Sequence, residues 1–189
     1  MATTTWQQAH EKTLRCAAGL QALGLVKGQA VLILGDNRPH LYLGMLAVGM
    51  LGGYATPVYP DATPEEIMHV VSSVQVHYVL AEDQEQVDKA LDLRERGAPL
   101  DHIVYDNPRG LSKYTAPGLV SWQALLDSGA ARLQVEAALA DALTTLAQPL
   151  LRRKLRKRGQ AEPVGTRGHV LTIGKQNSAD YQRPAVSTG

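Results

Sequence analysis

The chain has 189 residues, of which 44% are hydrophobic, and its net charge is +1 at pH 7. This length suffices for one ordinary hydrophobic core with a tail. The single cysteine, Cys16, excludes an internal disulfide and a cysteine-rich metal site. No run approaches about eighteen consecutive apolar residues, and the N-terminal sequence MATTTWQQAHEK lacks the apolar core of a signal peptide. We therefore expect a cytoplasmic protein.

The charge is unevenly distributed along the chain. Residues 1–141 carry a net charge of −6, and residues 142–189 carry +7. We predict three segments from this asymmetry and from the patterning: an α/β region over 1–130, a helical segment over 131–158 that ends in a basic cluster, and an irregular or disordered tail over 159–189.

A helix is the first predicted element, capped by Thr4 or Thr5 and extending to about Leu23. We expect Trp6 to pack the start of this helix against the rest of the protein. Cys16 lies one turn from apolar neighbours, and we interpret it as a small buried residue rather than a reactive thiol.

The next stretch predicts a strand followed by a helix start. Ala30–Leu34 (AVLIL) is a continuous apolar run, typical of a strand that is buried on both faces. Asp36 or Asn37 can cap the following helix, and Pro39 suits its first turn, where a missing N–H costs nothing.

That helix, over residues 40–51, is apolar almost all round. This pattern predicts a helix that is buried rather than amphipathic. Gly52 and Gly53 end it, and a second strand is predicted over residues 54–58, which completes a βαβ unit.

Thr63, Pro64 and Glu66 predict the start of a third helix. Thr63 can cap the helix, Pro64 suits its first position, and Glu66 stands where a capping box requires an acidic residue. Four apolar side chains at helical spacing predict a buried stripe: Ile67, Val70, Val71 and Val74.

Two more strands, over residues 77–81 and 101–105, flank a helix over 82–96. In that helix Val87, Leu91 and Leu93 are predicted to point inward. This alternation of strands and helices predicts an α/β fold of layered βαβ units with a mainly parallel sheet.

The last part of the chain contains a loop and further helical patterns. Residues 106–118 are a loop by their Pro, Gly and Asn content. A short helix is predicted over 121–126, and a longer helical pattern over 131–155 is interrupted at Pro149. A helical basic tail thus follows the α/β region.

Several of these segments carry a family resemblance. Lys27-Gly28, AVLIL, the motif Asn37-x-Pro39 and the run GMLAVGMLGGYATPVYP follow one another in this order. From Thr5 to about Leu126 the chain resembles the N-terminal region of adenylate-forming (AMP-binding) acyl-CoA synthetases, most closely the long-chain fatty-acid type. The resemblance implies a partial N-terminal domain of the acyl-CoA synthetase fold.

The resemblance also implies a chemistry for the complete enzyme. Such a ligase activates a carboxylate with ATP and Mg²⁺ to an acyl-adenylate and then forms a thioester with coenzyme A. The family segments that carry this chemistry are absent from this sequence: the phosphate loop T-S-G-T-T-G-x-P-K-G, the Y-G-x-T-E and T-G-D segments, and the C-terminal catalytic lysine.

We therefore predict no catalytic, cofactor-binding or metal-binding residues in this chain. We expect a truncated ligase that is inactive alone and takes no cofactor by itself, with ATP, Mg²⁺ and CoA belonging to the complete enzyme.

Residues 168–176 (GHVLTIGKQ) invite comparison with a Walker A loop. Five residues rather than four separate the glycines, and Gln176 replaces the Ser or Thr that would bind Mg²⁺, so we reject nucleotide binding there. The histidines do not pair at metal-site spacing and are interpreted as structural or exposed: His10, His40, His69, His77, His102 and His169.

Other candidate residues have plain structural interpretations. Glu65 with Glu66, and Asp92 with Glu95, are expected to be surface charges rather than acid–base pairs. Tyr59 follows a strand end, where α/β sheets often bind ligands. We favour the alternative that its ring packs over the helix below.

The basic cluster is the one concentrated charge feature, with six cations in seven positions: Arg152, Arg153, Lys154, Arg156, Lys157 and Arg158. It suggests an alternative function, a non-catalytic binding module that contacts an anionic membrane surface or an acidic partner. The protein would then be peripheral at a membrane. Nucleic acid is disfavoured because no aromatic residues interleave with the cations. Uncovered sheet edges would favour self-association.

Overall fold

The computed structural model describes residues 4–136, 138–146 and 170–171. The helices are α1 (Trp6–Ala22), α2 (Pro39–Met50), α3 (Pro64–Val74), α4 (Gln84–Glu95) and α5 (Trp122–Val135). Residues 139–146 are also helical. The strands are β1 (Thr4–Thr5), β2 (Ala30–Leu34), β3 (Tyr54–Val58), β4 (Tyr78–Ala81), β5 (His102–Tyr105), β6 (Leu119–Ser121) and β7 (Val170–Leu171).

Five of the strands form one parallel sheet in the order β3-β2-β4-β5-β6. The short β1 and β7 pair antiparallel in a separate two-stranded sheet. The α/β fold with a mainly parallel sheet, predicted from the alternation of apolar runs and helical patterns, is confirmed.

Helices cover both faces of the sheet. α1, α2 and α5 pack on the face that presents Val31, Ile33 and Leu80, whereas α3 and α4 pack on the face that presents Leu32 and Val79. Every residue of β2 is buried, as expected of a central strand with helices on both sides. This is a doubly wound arrangement, and the strand order reverses between β2 and β4.

Two helix starts follow the predicted capping chemistry. The Thr5 hydroxyl accepts a hydrogen bond from the Gln8 amide at 3.2 Å, and the Gln8 side chain accepts one from the Thr5 amide at 3.0 Å. Thr63 and Glu66 form the same reciprocal pair at the start of α3, where Pro64 holds the first position.

Three local expectations are wrong. α2 begins after Arg38, which has no side-chain capping bond, so neither Asp36 nor Asn37 caps it. Val74 is 46% exposed because it lies in the last turn of α3, beyond the part that rests on the sheet. Trp6 is 53% exposed and does not bury its ring against the protein.

The region after residue 105 differs from the predicted pattern. β6 was missed, since it has only three half-buried residues and follows a long loop. The helix predicted over 121–126 continues to Val135, with the Ser121 hydroxyl accepting from the Ala124 amide at 3.1 Å. The chain then leaves the helix at Glu136 before residues 139–146.

β3 forms an edge of the parallel sheet in the part of the chain that the structure describes. The Tyr54 amide donates to the Gln29 carbonyl at 2.9 Å. The backbone N–H and C=O groups of alternate residues 54, 56 and 58 therefore point toward β2. The backbone groups of Ala55 and Pro57 consequently point away from the sheet, and Pro57 has no N–H to donate there.

Some predictions lie outside the described residues. They concern the basic cluster of residues 152–158, most of the tail and most of the segment compared with a Walker A loop. The division into segments at 130 and 158 stays a prediction, and α5 continues across residue 130. Among the described residues, no helix combines the length and the apolar character that crossing a bilayer requires.

Candidate functional site

The carboxyl ends of the parallel strands are the candidate ligand-binding edge of the sheet. In open α/β sheets, ligands bind in the crevice where the strand order reverses, which here lies between β2 and β4. Polar residues follow directly after three of the strands: Asp36 and Arg38 after β2, Glu82 after β4, and Asp106 after β5.

Glu82 connects the two strands at the reversal. Its carboxylate accepts a hydrogen bond from the Asp36 amide at 2.7 Å and another, charge-assisted, from the Arg38 Nε. The backbones approach so closely that a Cβ at Gly35 would lie 2.5 Å from the Glu82 Cβ, and Gly35 has φ +144°. Only glycine fits this turn without strain.

The ion pair also changes the acidity of Arg38. The pKa of Arg38 is raised above its ordinary value, first because the guanidinium donates a hydrogen bond to Glu82 and second because of the negative charge on that carboxylate. The positive charge of Arg38 is thus already neutralised within the crevice.

His40 occupies the neighbouring part of this edge, in the first turn of α2. Its Nδ1 contacts the Asp106 carboxylate after β5, and its ring stacks on Trp122 with centroids 5.3 Å apart and planes at 23°. Trp122 is the first residue of α5 and is 5% exposed. This contact joins α2, the β5 end and α5 into one surface.

This edge carries more acidic than basic side chains. Three carboxylates, Asp36, Glu82 and Asp106, stand at the strand ends, and the nearest cation, Arg38, is paired with one of them. In the part of the chain that the structure describes, no group of three or more His, Cys, Asp or Glu side chains is arranged to hold a metal ion. The polar groups of the edge bind the loops to one another.

Tyr59, the residue predicted to pack over the helix below, is 82% exposed instead. It lines an open groove of about 730 Å³ at the end of β3 together with residues of the following loop and α3: Val58, Asp61, Ala62, Glu65, Glu66, His69 and Val70. The ring stays exposed because α3 starts beyond the strand end, and the expectation of a packed ring is wrong.

Two carboxylates of this groove, those of Glu65 and Glu66, have structural partners. Glu65 is paired with Arg96 at 2.9 Å, and Arg96 also contacts Asp92 at 2.9 Å. The pKa of Glu65 is lowered, first by a hydrogen bond from its own backbone and then by Arg96, and the pKa of Arg96 is raised by Asp92 and then by Glu65. Glu66 is used in the capping box.

The remaining histidines of the described residues are dispersed. His10 and His69 are exposed on helices, and His77 contacts Asp101 at 2.7 Å. His102 stacks on Tyr78 with ring centroids 5.6 Å apart.

Cys16 lies in the centre of α1 and is fully buried. Burial raises the pKa of its thiol far above the ordinary range, because an apolar environment disfavours the thiolate. The interpretation of Cys16 as a core residue agrees with this environment.

Sequence reasoning missed the contacts at the strand ends. The polar residues directly after apolar strands were visible, and parallel strands bring such positions to one edge. The pairing of His40 with Asp106, which are 66 residues apart, has no counterpart in any local spacing.

Comparison with known proteins identifies the family. The sequence pattern described as "AMP-binding enzyme" matches residues 2–147, which is more than half of the chain. The chain belongs to the AMP-binding enzyme family. The resemblance inferred from the residues around Ala30–Leu34 and Pro39 is thereby confirmed.

The curated relatives include ligases that form CoA thioesters. The chain is 31% identical over 130 residues to a phenylacetyl-CoA ligase of Aspergillus niger, a match that covers 67% of this chain and 24% of the ligase. It is 24% identical over 125 residues to a long-chain-fatty-acid–CoA ligase of Xenopus laevis, of which it covers 17%. The chain thus spans about a quarter or less of these relatives.

A shorter relative also exists. An uncharacterized protein of Mycobacterium tuberculosis is 30% identical over 102 residues, which make up 54% of this chain and 56% of that protein.

Solved structures share the fold. The acetoacetyl-CoA synthetase from Streptomyces lividans matches with a TM-score of 0.57 and 22% identity over 64% of this chain and 20% of its own. The anthranilate CoA ligase AuaEII matches with a TM-score of 0.56 and 17% identity, over 64% and 22% of the two chains. At this identity the likeness concerns the fold alone.

Proposed function

We propose that this chain forms the N-terminal scaffold of an ATP-dependent acyl-CoA ligase of the long-chain fatty-acid type. The single observation that best supports the assignment to the ligases is the family match over residues 2–147. In the complete enzyme, the carboxylate would attack the α-phosphate of ATP and release pyrophosphate to give an acyl-adenylate. The CoA thiol would then attack the acyl carbonyl and release AMP. The protein would belong to cytoplasmic fatty-acid metabolism.

The scaffold itself supplies no catalytic machinery in this proposal. The sequence contains no Ser/Thr/Gly-rich phosphate loop. The strand ends at the reversal hold two carboxylates, Asp36 and Glu82, against one cation, Arg38, and this excess of negative charge repels a triphosphate. Adenylation depends on cationic groups and a metal to stabilise charge on the phosphates. We therefore expect the chain to be inactive alone and to need the rest of a ligase.

Activity measurements test this proposal. The purified chain, and a chimera in which it replaces the matched N-terminal region of the Aspergillus niger ligase, are assayed for pyrophosphate release and acyl-CoA formation. We expect no activity from the chain and activity from the chimera, with the ligase lacking its N-terminal region as the control. Activity of the chain alone would refute inactivity, and a chimera no better than the control would refute the scaffold role.

The carboxylate that the complete ligase activates is a separate part of the proposal. The relatives are named for phenylacetate, long-chain fatty acids and 4-coumarate, so their names alone support no single carboxylate. We propose the long-chain class from the sequence resemblance. A complete ligase that carries this chain as its N-terminal region should use palmitate in preference to phenylacetate and 4-coumarate, and the opposite order would contradict the long-chain assignment.

We propose peripheral binding to anionic membranes as a second candidate function. It is supported by the basic cluster of residues 152–158, in which six of seven residues are cationic. Binding to vesicles that contain phosphatidylserine should weaken with salt and be lost when all six cations are replaced by Gln. Replacement of Arg167, Lys175 and Arg183 by Gln, which removes three charges outside the cluster, is the control. Binding that is insensitive to salt and to the cluster variant would reject this function.

A further inference from the structure

Trp6, the first residue of α1, carries its indole ring on the protein surface. The residue is 53% exposed, whereas Trp122, the second tryptophan of the sequence, is 5% exposed. Tryptophan is largely buried in most globular proteins, since its ring is large and apolar. The combination of an apolar ring with one N–H group suits the boundary between water and a lipid bilayer, where tryptophan is enriched.

The first turn of α1 carries no negative charge around Trp6. Gln7 and Gln8 are exposed and uncharged, and no acidic residue lies in this turn. Glu11 is the first acidic residue of the helix, and its carboxylate is paired with Arg15 one turn further along. The start of α1 therefore does not repel an anionic surface.

Tyr59 shows that an exposed ring alone does not make such a surface. It is 82% exposed, but the groove that it lines also contains Asp61, Glu65 and Glu66. These carboxylates oppose the approach of anionic lipid headgroups, because like charges repel. The surroundings of Trp6 and Tyr59 thus differ in charge, although both rings are exposed.

The pairing of β1 with β7 brings the C-terminal part of the chain to Trp6. β1 consists of the two residues before Trp6, and these lie opposite Val170 and Leu171 of β7. Arg158, the last cation of the basic cluster, precedes Val170 by twelve positions. Even a fully extended chain would place the Cα atoms of these two residues no more than about 40 Å apart. A bilayer surface is much wider than this distance, so one membrane can meet both the cluster and Trp6.

We propose that Trp6 enters the headgroup layer of the bilayer when the chain binds an anionic membrane through its basic cluster. This inference rests on the second candidate function, membrane binding, and adds to it the apolar contact. The attraction between the cations and anionic lipids is screened by salt. The indole ring adds buried apolar area, and the strength of interfacial binding increases with both contributions.

Fluorescence of the complete 189-residue chain tests the contact of Trp6 with lipid. The chain is mixed with vesicles of equal parts phosphatidylserine and phosphatidylcholine. One preparation has ordinary acyl chains, and the other has brominated acyl chains, which quench a tryptophan that lies among the lipids. We expect quenching in the native chain and none in Trp6→Phe, whose remaining Trp122 is buried inside the protein.

Cosedimentation with the same vesicles measures how much Trp6 contributes to binding. Trp6→Ser should bind at least about fivefold more weakly than the native chain, because the contact area of a large apolar ring is lost. Tyr59→Ser is the matched control, since it removes an exposed ring from acidic surroundings, and it should change binding by less than about twofold. Trp6→Ser leaves the capping pair of Thr5 and Gln8 in place, and circular dichroism verifies that the variant is folded.

Two results would overturn the proposal. Vesicle binding that depends on the basic cluster but leaves the tryptophan emission unquenched would show that the ring of Trp6 stays in water. Equal weakening of binding by Trp6→Ser and Tyr59→Ser would show that the uncharged start of α1 has no special role.

The outcome is separable from that of the membrane-binding function. Binding that depends on the cluster, without quenching, would reject the role of Trp6 and keep the function. A native chain that does not bind the vesicles would reject the function and this inference with it. Quenching that persists after all six cations are replaced by Gln would support insertion of Trp6 and reject binding through the cluster.

Discussion

Gly129 of α5 lies directly against the backbone of α1 at Gly19. A Cβ at position 129 would be 2.8 Å from the Gly19 nitrogen and would overlap the Arg15 carbonyl oxygen. Backbone atoms cannot move aside as a flexible side chain can, so the two helices have to separate if a side chain is added. The close packing of α1 on α5 therefore depends on glycine at this crossing.

We expect Gly129→Ala to lower the free energy of unfolding by about 1–3 kcal/mol, because the added methyl group overpacks the helix crossing. Ser128→Ala, on the exposed neighbouring position of α5, is the control and should change stability by less than about 0.5 kcal/mol. Urea unfolding followed by circular dichroism measures both. Equal stability of the Gly129→Ala variant and the native chain would contradict the packing described.

The Cys16 thiol should not react with Ellman's reagent in the folded chain. Burial both blocks access and raises its pKa, so the thiolate that would react is absent. The thiol should become reactive in urea, in parallel with unfolding. Ser128→Cys supplies an exposed thiol on α5 that should react at once, and a comparable rate for native Cys16 would show that α1 is not packed as described.

Replacement of Glu82 by Gln should weaken the junction between the ends of β2 and β4. The variant loses the ion pair with Arg38 but retains an oxygen that can accept from the Asp36 amide. We expect a loss of about 1 kcal/mol, since the pair is charge-assisted but Arg38 is partly exposed and screened by solvent.

A double-mutant cycle with Arg38→Gln separates this pair from other effects. The double variant should be less destabilised than the sum of the two single variants, because each single change already breaks the same contact. Additive losses would mean that Glu82 and Arg38 do not interact.

Stability should fall as the pH rises above about 10. The pKa of Tyr78 is raised by burial and then by the charge of Asp101, and the pKa of Tyr114 is raised mainly by its hydrogen bond to Asp88. The folded chain therefore keeps phenolic protons that the unfolded chain, with ordinary pKa values near 10, has lost. The stabilising contribution is complete below pH 10 and is lost through the folded-state pKa.

Unfolding in urea between pH 7 and pH 11 measures this loss. The variant Tyr78→Phe with Tyr114→Phe should show a shallower decline above pH 10. A decline that begins near pH 9 should remain in this variant, because burial also raises the pKa of the Cys16 thiol above its ordinary value of 9.0. An identical decline in the variant would assign the alkaline loss to other groups.

Pro57 should limit growth of the sheet beyond β3. It occupies an outward position of this edge strand, where any other residue would offer an N–H to an added strand. We expect Pro57→Val to increase self-association, measured by sedimentation at rising concentration. Thr56→Val, which changes a residue whose backbone faces β2, is the control, and equal behaviour of the two variants would contradict the role of Pro57.

Much of this fold follows from local sequence patterns. AVLIL identified β2 because a strand covered on both faces is apolar throughout, and Thr63-Pro64-x-Glu66 identified the start of α3 because the cap is formed by neighbouring residues. The length of α5 and the position of β6 did not follow, since their stability comes from contacts with α1 and β5 rather than from their own composition.

The candidate site was less predictable than the fold. Contacts such as His40 with Asp106 and with Trp122 join residues that are far apart in the sequence, and the side chains have no distinctive spacing. The exposure of Tyr59 depends on where α3 begins relative to the end of β3, which a pattern of residue types does not specify.

The position of β2 in the sheet has a consequence for synthesis of the protein. β2 leaves the ribosome before every other strand of the parallel sheet, yet it lies between β3 and β4 and needs both as partners. Until residues 78–81 have been synthesised, β2 can pair with β3 on one side only. During that interval the nascent chain exposes a wholly apolar strand with one unpaired edge, the kind of segment that chaperones protect.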